Sequence, residues 1–166
     1  MARNGAGRVV VRPARNGDGL FAAKAFRAND IIMKVTGRRV HHTVVWNTGG
    51  DFASNCYRYG PDTYLDPGDT PSRYVNHACE PNAAVTKVRH ELFLFAATAI
   101  SAGTEIVMDY STILGDDEVW TMRCNCGRAT CRGRIRRFGS LPAALKRRYL
   151  ESGLVPKLII RTLEGP

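Results

Sequence analysis

Three of the five cysteines fall within eight residues, in the run Arg123-Cys124-Asn125-Cys126-Gly127-Arg128-Ala129-Thr130-Cys131-Arg132-Gly133. Thiolates suit zinc, and a structural zinc takes four protein ligands in a tetrahedron. The Cys-x-Cys spacing brings two sulfurs to one face, and Gly127 allows a tight return for the third. The fourth ligand must come from elsewhere in the chain, where Cys56 and Cys79 are the remaining cysteines. Cys79 lies in the polar, helix-breaking segment Tyr74-Val75-Asn76-His77-Ala78-Cys79-Glu80-Pro81-Asn82, between apolar runs. Cys56 reads most simply as a small buried hydrophobe. If Cys79 completes the set, the tail folds back over the middle of the chain and covers a cleft.

Other side chains have usable chemistry without metal-like spacing. Tyr110 follows an apolar run and Asp109; Asn76 and His77 sit just before Cys79; Tyr57, Tyr59 and Tyr64 precede Leu65-Asp66; Gly17 and Gly19 flank Asp18. Each admits a plain structural role. A tyrosine closing an apolar strand is commonly core, an Asn-His pair is commonly packed, and Gly-Asp-Gly is commonly a turn.

The elements that would position these groups are mostly short strands. Runs rich in Val, Ile and aromatic residues cover Arg8 to Arg12, Ile31 to Thr36, Val40 to Trp46, Ala83 to Val88, Leu92 to Ile100 and Thr104 to Met108. Turn chemistry marks Asn16-Gly17-Asp18-Gly19 and Asn47-Thr48-Gly49-Gly50-Asp51. One helix is expected from an N-cap at Ser140, with Pro142 in its first turn and Gly153 as a stop. Its apolar face carries Leu141, Ala144, Leu145 and Tyr149. Residues 111–123 read as a linker or a short irregular segment. The expected class is mostly β, several small β-sheets with short helices and a C-terminal helical cap.

A chain of 166 residues fits one domain, and 44% apolar with 23% charged residues is the balance of an ordinary globular core and surface. No apolar stretch approaches membrane-span length, and the N-terminus lacks the apolar region of a secretion signal. Cysteines in a metal-like cluster fit a reducing compartment, hence an intracellular protein, cytoplasmic if prokaryotic and nuclear or chromatin-associated if eukaryotic. The formal charge of +9 falls to about +7 with four zinc-bound thiolates and one Zn²⁺. That favours solubility or proximity to nucleic acid in equal measure. The run Arg132, Arg134, Arg136, Arg137, continued by Lys146-Arg147-Arg148, could meet DNA phosphates or be a solvated face.

Four segments in order carry a resemblance. Gly17-Asp18-Gly19-Leu20-Phe21-Ala22, Asn76-His77-Ala78-Cys79-Glu80-Pro81-Asn82, Gly103-Thr104-Glu105-Ile106-Val107-Met108-Asp109-Tyr110, and the cysteine cluster with Arg132-Gly133 resemble the signatures of SET-domain protein lysine methyltransferases. The resemblance covers about residues 8 to 137. It implies a SET domain at 8–110, a linker and post-SET zinc element at 111–137, and a helical tail at 138–166. It implies a pseudoknot, in which one strand end threads beneath a loop, although threading is disfavoured in general. It also implies S-adenosylmethionine as cofactor and one structural zinc held by Cys79, Cys124, Cys126 and Cys131.

By the same resemblance Tyr110 is the catalytic residue, orienting a lysine amine beside the transferring methyl group. Gly17, Gly19, Leu20, Arg73, Asn76 and His77 hold the cofactor, and Tyr59 and Met108 line the substrate channel. Tyr57, Tyr59 and Tyr64 could equally be core. Met108 stands where the family commonly carries Tyr or Phe, so di- or trimethylation is expected. Val35-Thr36-Gly37-Arg38 replaces a common Tyr-x-Gly-Glu, which alters the channel wall, and substrate docking falls to Val40 to Asp69. The expected partner is a protein substrate, histone or other basic protein, with no membrane. The competing expectation is a degenerate SET fold acting as a zinc-stabilised module that binds nucleic acid or protein.

Overall fold

In the computed structural model, which describes residues 7–163, strands β1 (Val9–Ala14) and β2 (Gly17–Ala22) form an antiparallel hairpin. The turn is only Arg15-Asn16, and Gly17, at φ 83°, takes the positive-φ position that closes it. Asp18-Gly19, expected in the turn, are strand residues. Next come β3 (Ile31–Val35) and β4 (Arg38–His41), followed by two short helices, α1 (His42–Thr48) and α2 (Gly50–Asn55).

Those helices correct the expected strand from Val40 to Trp46. The His41 ring accepts the Thr43 N–H and caps α1. Val45 is buried with Val40, Ala53, Cys56 and Tyr64, while Trp46 and Phe52 pack against that cluster. Gly49, at φ 60°, turns α1 into α2. Burial against neighbouring elements has overridden the β-branched preference of His-Thr-Val-Val-Trp.

Strands β5 (Tyr57–Arg58) and β6 (Thr63–Asp66) join β4 in a sheet of order β4-β6-β5. A 3-10 turn over Pro71–Tyr74 leads to β7 (Asn76–His77), then β8 (Ala83–Val88), β9 (Glu91–Ala96) and β10 (Val107–Met108). The larger sheet has the order β3-β9-β8-β10-β7. The strand expected to reach Ile100 ends at Ala96, with Ile100 making one bridge to Phe26. Thr104 and Glu105 lie outside β10, and Glu105 bridges Phe21.

The order of that sheet contains the thread. Strands β7 and β8 are separated only by residues 78–82, yet β10 lies between them, parallel to both. The loop is stitched across the inserted strand. Ala78 N–H donates to Met108 C=O (2.9 Å) and Asn82 N–H to Val107 C=O (3.1 Å). The Asn82 amide accepts from Val107 N–H (2.9 Å) and donates to Glu105 C=O (2.8 Å). The parallel ladder is only two residues long, so Asn82 supplies hydrogen bonds that the strands themselves lack. This is the threaded arrangement of a SET fold.

Residues 111–123 are not a bare linker. A 3-10 turn covers Tyr110–Ile113, and Ser111, Thr112, Ile113 and Leu114 are buried. A ribbon of β11 (Met122–Arg123) and β12 (Arg134–Ile135) brackets the cysteine cluster. Then come a 3-10 turn over Phe138–Ser140 and helices α3 (Ala143–Glu151) and α4 (Lys157–Leu163). Ser140 does not cap α3: its hydroxyl donates to Arg137 C=O (2.8 Å), Pro142 occupies the N-cap, and Ala144 is exposed. Gly153, at φ 65°, stops α3 as expected. Phe138, Leu141, Tyr149, Val155 and Ile159 form the tail's own core. Among the described residues no helix is long and apolar enough to cross a membrane.

Candidate active site and metal centre

The sulfurs of Cys79, Cys124, Cys126 and Cys131 all lie within 4.8 Å of one another. Cys124 Sγ is 3.8 Å from Cys79 Sγ and 3.6 Å from Cys131 Sγ. Four sulfurs about 2.3 Å from a zinc would stand about 3.8 Å apart, so the donor set fits that ion. Backbone N–H groups of Arg132 and Gly133 point at the Cys79 and Cys131 sulfurs, each at 3.4 Å. Cys56 stands apart, buried under α2, its thiol pushed up to about 12 by burial.

The knuckle formed by these cysteines is docked on the first hairpin. Arg15 Nε donates to Asn125 C=O (3.0 Å), and Asn125 Nδ2 donates to Asn16 Oδ1 (3.1 Å). Thr130 donates to the Glu80 carboxylate at 2.6 Å. Between knuckle and hairpin lies a cavity of about 410 Å³. Asn16 and Asp18 border it from the hairpin, Arg73 to His77 from the middle of the chain, and Met122 to Cys126 from the tail, Val75 excepted.

Asn76 Nδ2 donates to Asp18 C=O (3.1 Å) and to the Glu105 carboxylate (2.9 Å). That leaves its carbonyl oxygen as an acceptor beside the cavity. A Cβ on Gly19 would stand 2.6 Å from Glu105 Oε1 and 3.1 Å from Asn76 Nδ2, so glycine is required for this pair to form. Gly17 and Leu20 do not border the cavity; Gly17 closes the hairpin and Leu20 is fully buried in the main core.

His77 is buried, and burial pushes its pKa down to about 4, leaving a neutral ring. Its Nδ1 accepts the Tyr110 N–H (3.1 Å), which assigns the proton to Nε2, 3.5 Å from Cys79 Sγ. The ring therefore links Cys79 to the backbone of Tyr110. The Tyr110 hydroxyl donates to Val75 C=O (2.8 Å), and burial raises its pKa well above the ordinary phenol value. It is a neutral phenol whose oxygen remains an acceptor.

On the far side of Tyr110 is a slot of about 10 Å³ between Tyr57, Val75, Met108 and Ile113. Cavity and slot share Ser54, Asn55, Arg73 and Tyr110, so they meet at the tyrosine. Tyr57, not Tyr59, is the slot's aromatic wall; its hydroxyl donates to Ser72 C=O at 2.6 Å. Tyr59 lies elsewhere, donating to His90 C=O (2.8 Å) with Lys87 Nζ 3.8 Å above its ring. Tyr64 is buried in the second cluster with its hydroxyl on Glu118. Strand alternation puts Tyr57 and Tyr59 on one face of a run, but only the packing decides which of the two meets the slot.

Asp109, to which neither spacing nor residue type assigns a role, is fully buried and binds the site together. Its carboxylate accepts from Arg132 Nη2 (2.7 and 2.8 Å), from Tyr149 OH (3.0 Å) and from Ser111 N–H (3.1 Å). Arg132 thus belongs to the buried scaffold and is not available to the basic surface expected of it. The carboxylate joins the cysteine knuckle and α3 to the residue beside Tyr110.

A model of the SET domain family matches residues 17–111. The chain is similar to a histone-lysine N-methyltransferase, H3 lysine-4 specific, of Cryptococcus neoformans, 31% identical over 134 residues, 74% of this chain and 9% of that protein. The Saccharomyces cerevisiae protein of the same description is 28% identical over 137 residues, 75% of this chain and 13% of its own length. Histone-lysine N-methyltransferase trithorax of Drosophila virilis is 28% identical over 134 residues, 74% of this chain and 3% of its own. The chain spans a small fraction of these relatives.

Proposed function

Because the chain belongs to the SET-domain family, we propose that it is a protein-lysine methyltransferase using S-adenosylmethionine and one structural zinc. The observation that carries this reading is Tyr110 at the meeting point of a roomy cavity and a narrow slot. When bound, the cofactor supplies a methyl group on a sulfonium centre. Asn76 accepts from the cofactor's ammonium through its free carbonyl oxygen, Arg73 and the His77 backbone complete the holding set, and Tyr110 orients the incoming amine with its hydroxyl oxygen.

The slot performs two tasks. Its narrowness excludes bulk water and, by desolvation, favours the neutral amine needed as nucleophile. No carboxylate borders the slot and the Tyr110 phenol stays protonated, so desolvation carries that task. At about 10 Å³ the slot holds one water at most, so a lysine stem enters only if a wall yields. Met108, unbranched and flexible, is that wall. It also offers no hydroxyl to hold a blocking water, which favours di- or trimethylation.

The relatives' descriptions name histone substrates, and a histone or another basic protein is the proposed substrate here. The test is transfer of radiolabelled methyl groups to host-lysate proteins. Tyr110→Phe should lower the rate about 10²-fold, as expected when a reacting group loses its orientation, with zinc content unchanged. Mass spectrometry of the product should show multiple methylation that Met108→Phe restricts to one; a wild-type product carrying only one methyl group rejects the multiplicity.

A further inference from the structure

The chain's net charge is not spread over its surface. From Val119 to Leu150 there is no acidic residue, against nine Lys and Arg, which leaves fifteen basic and fifteen acidic side chains in the rest of the chain. The whole formal excess of +9 therefore lies in residues 119–150, which hold the ribbon, the cysteine knuckle and α3 as far as Leu150, Glu151 being that helix's last residue. We propose that the exposed cations of this segment dock the phosphate backbone of double-helical DNA beside the cofactor cavity.

Structure separates the arginines that hold the fold from those that face outward. Arg132 is bound to Asp109, Arg137 donates to Asp116 C=O (3.0 Å), and Lys146 donates to Gly139 C=O (2.8 Å). Arg123, Arg128, Arg134, Arg136, Arg147 and Arg148 are exposed, with no carboxylate partner among the described residues. Arg123 and Arg134 stand directly opposite each other across the ribbon. Like charges in that position destabilise a strand pair, and this ribbon is only two residues long on each side. A polyanion relieves that repulsion. Beneath it Ile135 is buried, and the metal knuckle joins the two strands, so the arginines project from a fixed base.

Eight of the nine cations are Arg, whose planar fork matches phosphate oxygens. Single strands are disfavoured as the ligand because the segment exposes no stacking platform: Phe138 and Tyr149 are buried, and Trp120 packs on the second cluster. The exposed Val119, Met122 and Leu150 are scattered aliphatic residues of ordinary kind. Met122, Arg123 and Ile135 also border the cavity, so bound DNA would lie next to it. A basic enzyme and a basic substrate repel each other; one duplex binds both. That last consequence alone rests on the methyltransferase reading.

The test is fluorescence anisotropy of a labelled ~20-bp duplex of arbitrary sequence with the zinc-loaded chain. If about five phosphates are neutralised, affinity should fall about 10²- to 10³-fold between ~50 and ~200 mM salt. Arg134→Glu with Arg136→Glu, and separately Arg147→Glu with Arg148→Glu, should each weaken binding more than about tenfold at low salt. Arg12→Glu with Arg27→Glu, outside the segment, should change it less than about twofold. Unaltered zinc content and S-adenosylmethionine binding in the variants exclude misfolding. The proposal is overturned by no binding at ~50 mM salt, by equal effects of all three pairs, or by phosphatidylserine vesicles or polyglutamate binding as tightly as the duplex. A chain that binds duplex but transfers no methyl group keeps the docking face and loses the activity; the opposite result removes the docking face alone.

Discussion

Asp109 concentrates the site's dependencies in one carboxylate. It has no exposed side-chain surface, and its cation, Arg132, retains 16%. Removing the cation leaves a buried negative charge with only neutral donors, a change costing about 3–5 kcal/mol in buried pairs. Arg132→Met should therefore lower the unfolding free energy of the zinc-loaded chain by about 3 kcal/mol in urea titration. Combined with Asp109→Asn it should cost less than the two single changes added together, because the stranded charge is gone. Additive losses would show that the pair is not coupled. Residue by residue, the sequence marks Arg132 only as one of a basic run. The difference between a solvated cation and a buried one lies in what Asp109 and Tyr149 place around it, and neither is near it in the chain.

At the scale of elements, the knuckle is a lid over the cavity, and the proposed zinc would be its hinge. Few apolar contacts hold residues 122–134, most of which are exposed; four thiolates, the Arg15 and Asn16 contacts and the short ribbon do the holding. Binding a structural zinc is worth on the order of 10 kcal/mol, which is ample to order such a segment. Chelation should release one zinc and unmask four thiols to Ellman's reagent, while Cys56 stays slow because it is buried and its thiol is pushed up to about 12. S-adenosylmethionine binding by calorimetry should disappear with the lid and return with zinc. Retained binding without zinc would show that the lid does not form the cavity. The elements themselves were unequally legible. Ala83–Val88 followed its pattern to the residue, having β-branched residues and clear turns at both ends. The helices at 42–55 did not, because residues of strand preference found a better burial against Cys56 and Tyr64. In Gly17–Ala22 the turn-like glycines concealed a strand whose open face Asn76 and Glu105 need.

For the whole molecule, the tail is an integral part of the site. Tyr149 reaches from α3 to Asp109, and Phe138 N–H donates to Leu114 C=O (2.9 Å). Truncation after residue 137 should strip both contacts, lower thermal stability and reduce cofactor affinity even with zinc present. An unaltered melting temperature would make the tail a separate unit. What the sequence alone determined was the three-cysteine cluster and the family signatures, since these rest on residue type at short spacing. Tertiary structure decided that β10 threads between β7 and β8, that Tyr57 rather than Tyr59 meets the slot, and that Arg132 faces inward. Each of these depends on contacts between segments tens of residues apart, and no local pattern encodes which of several equivalent faces a distant segment will cover.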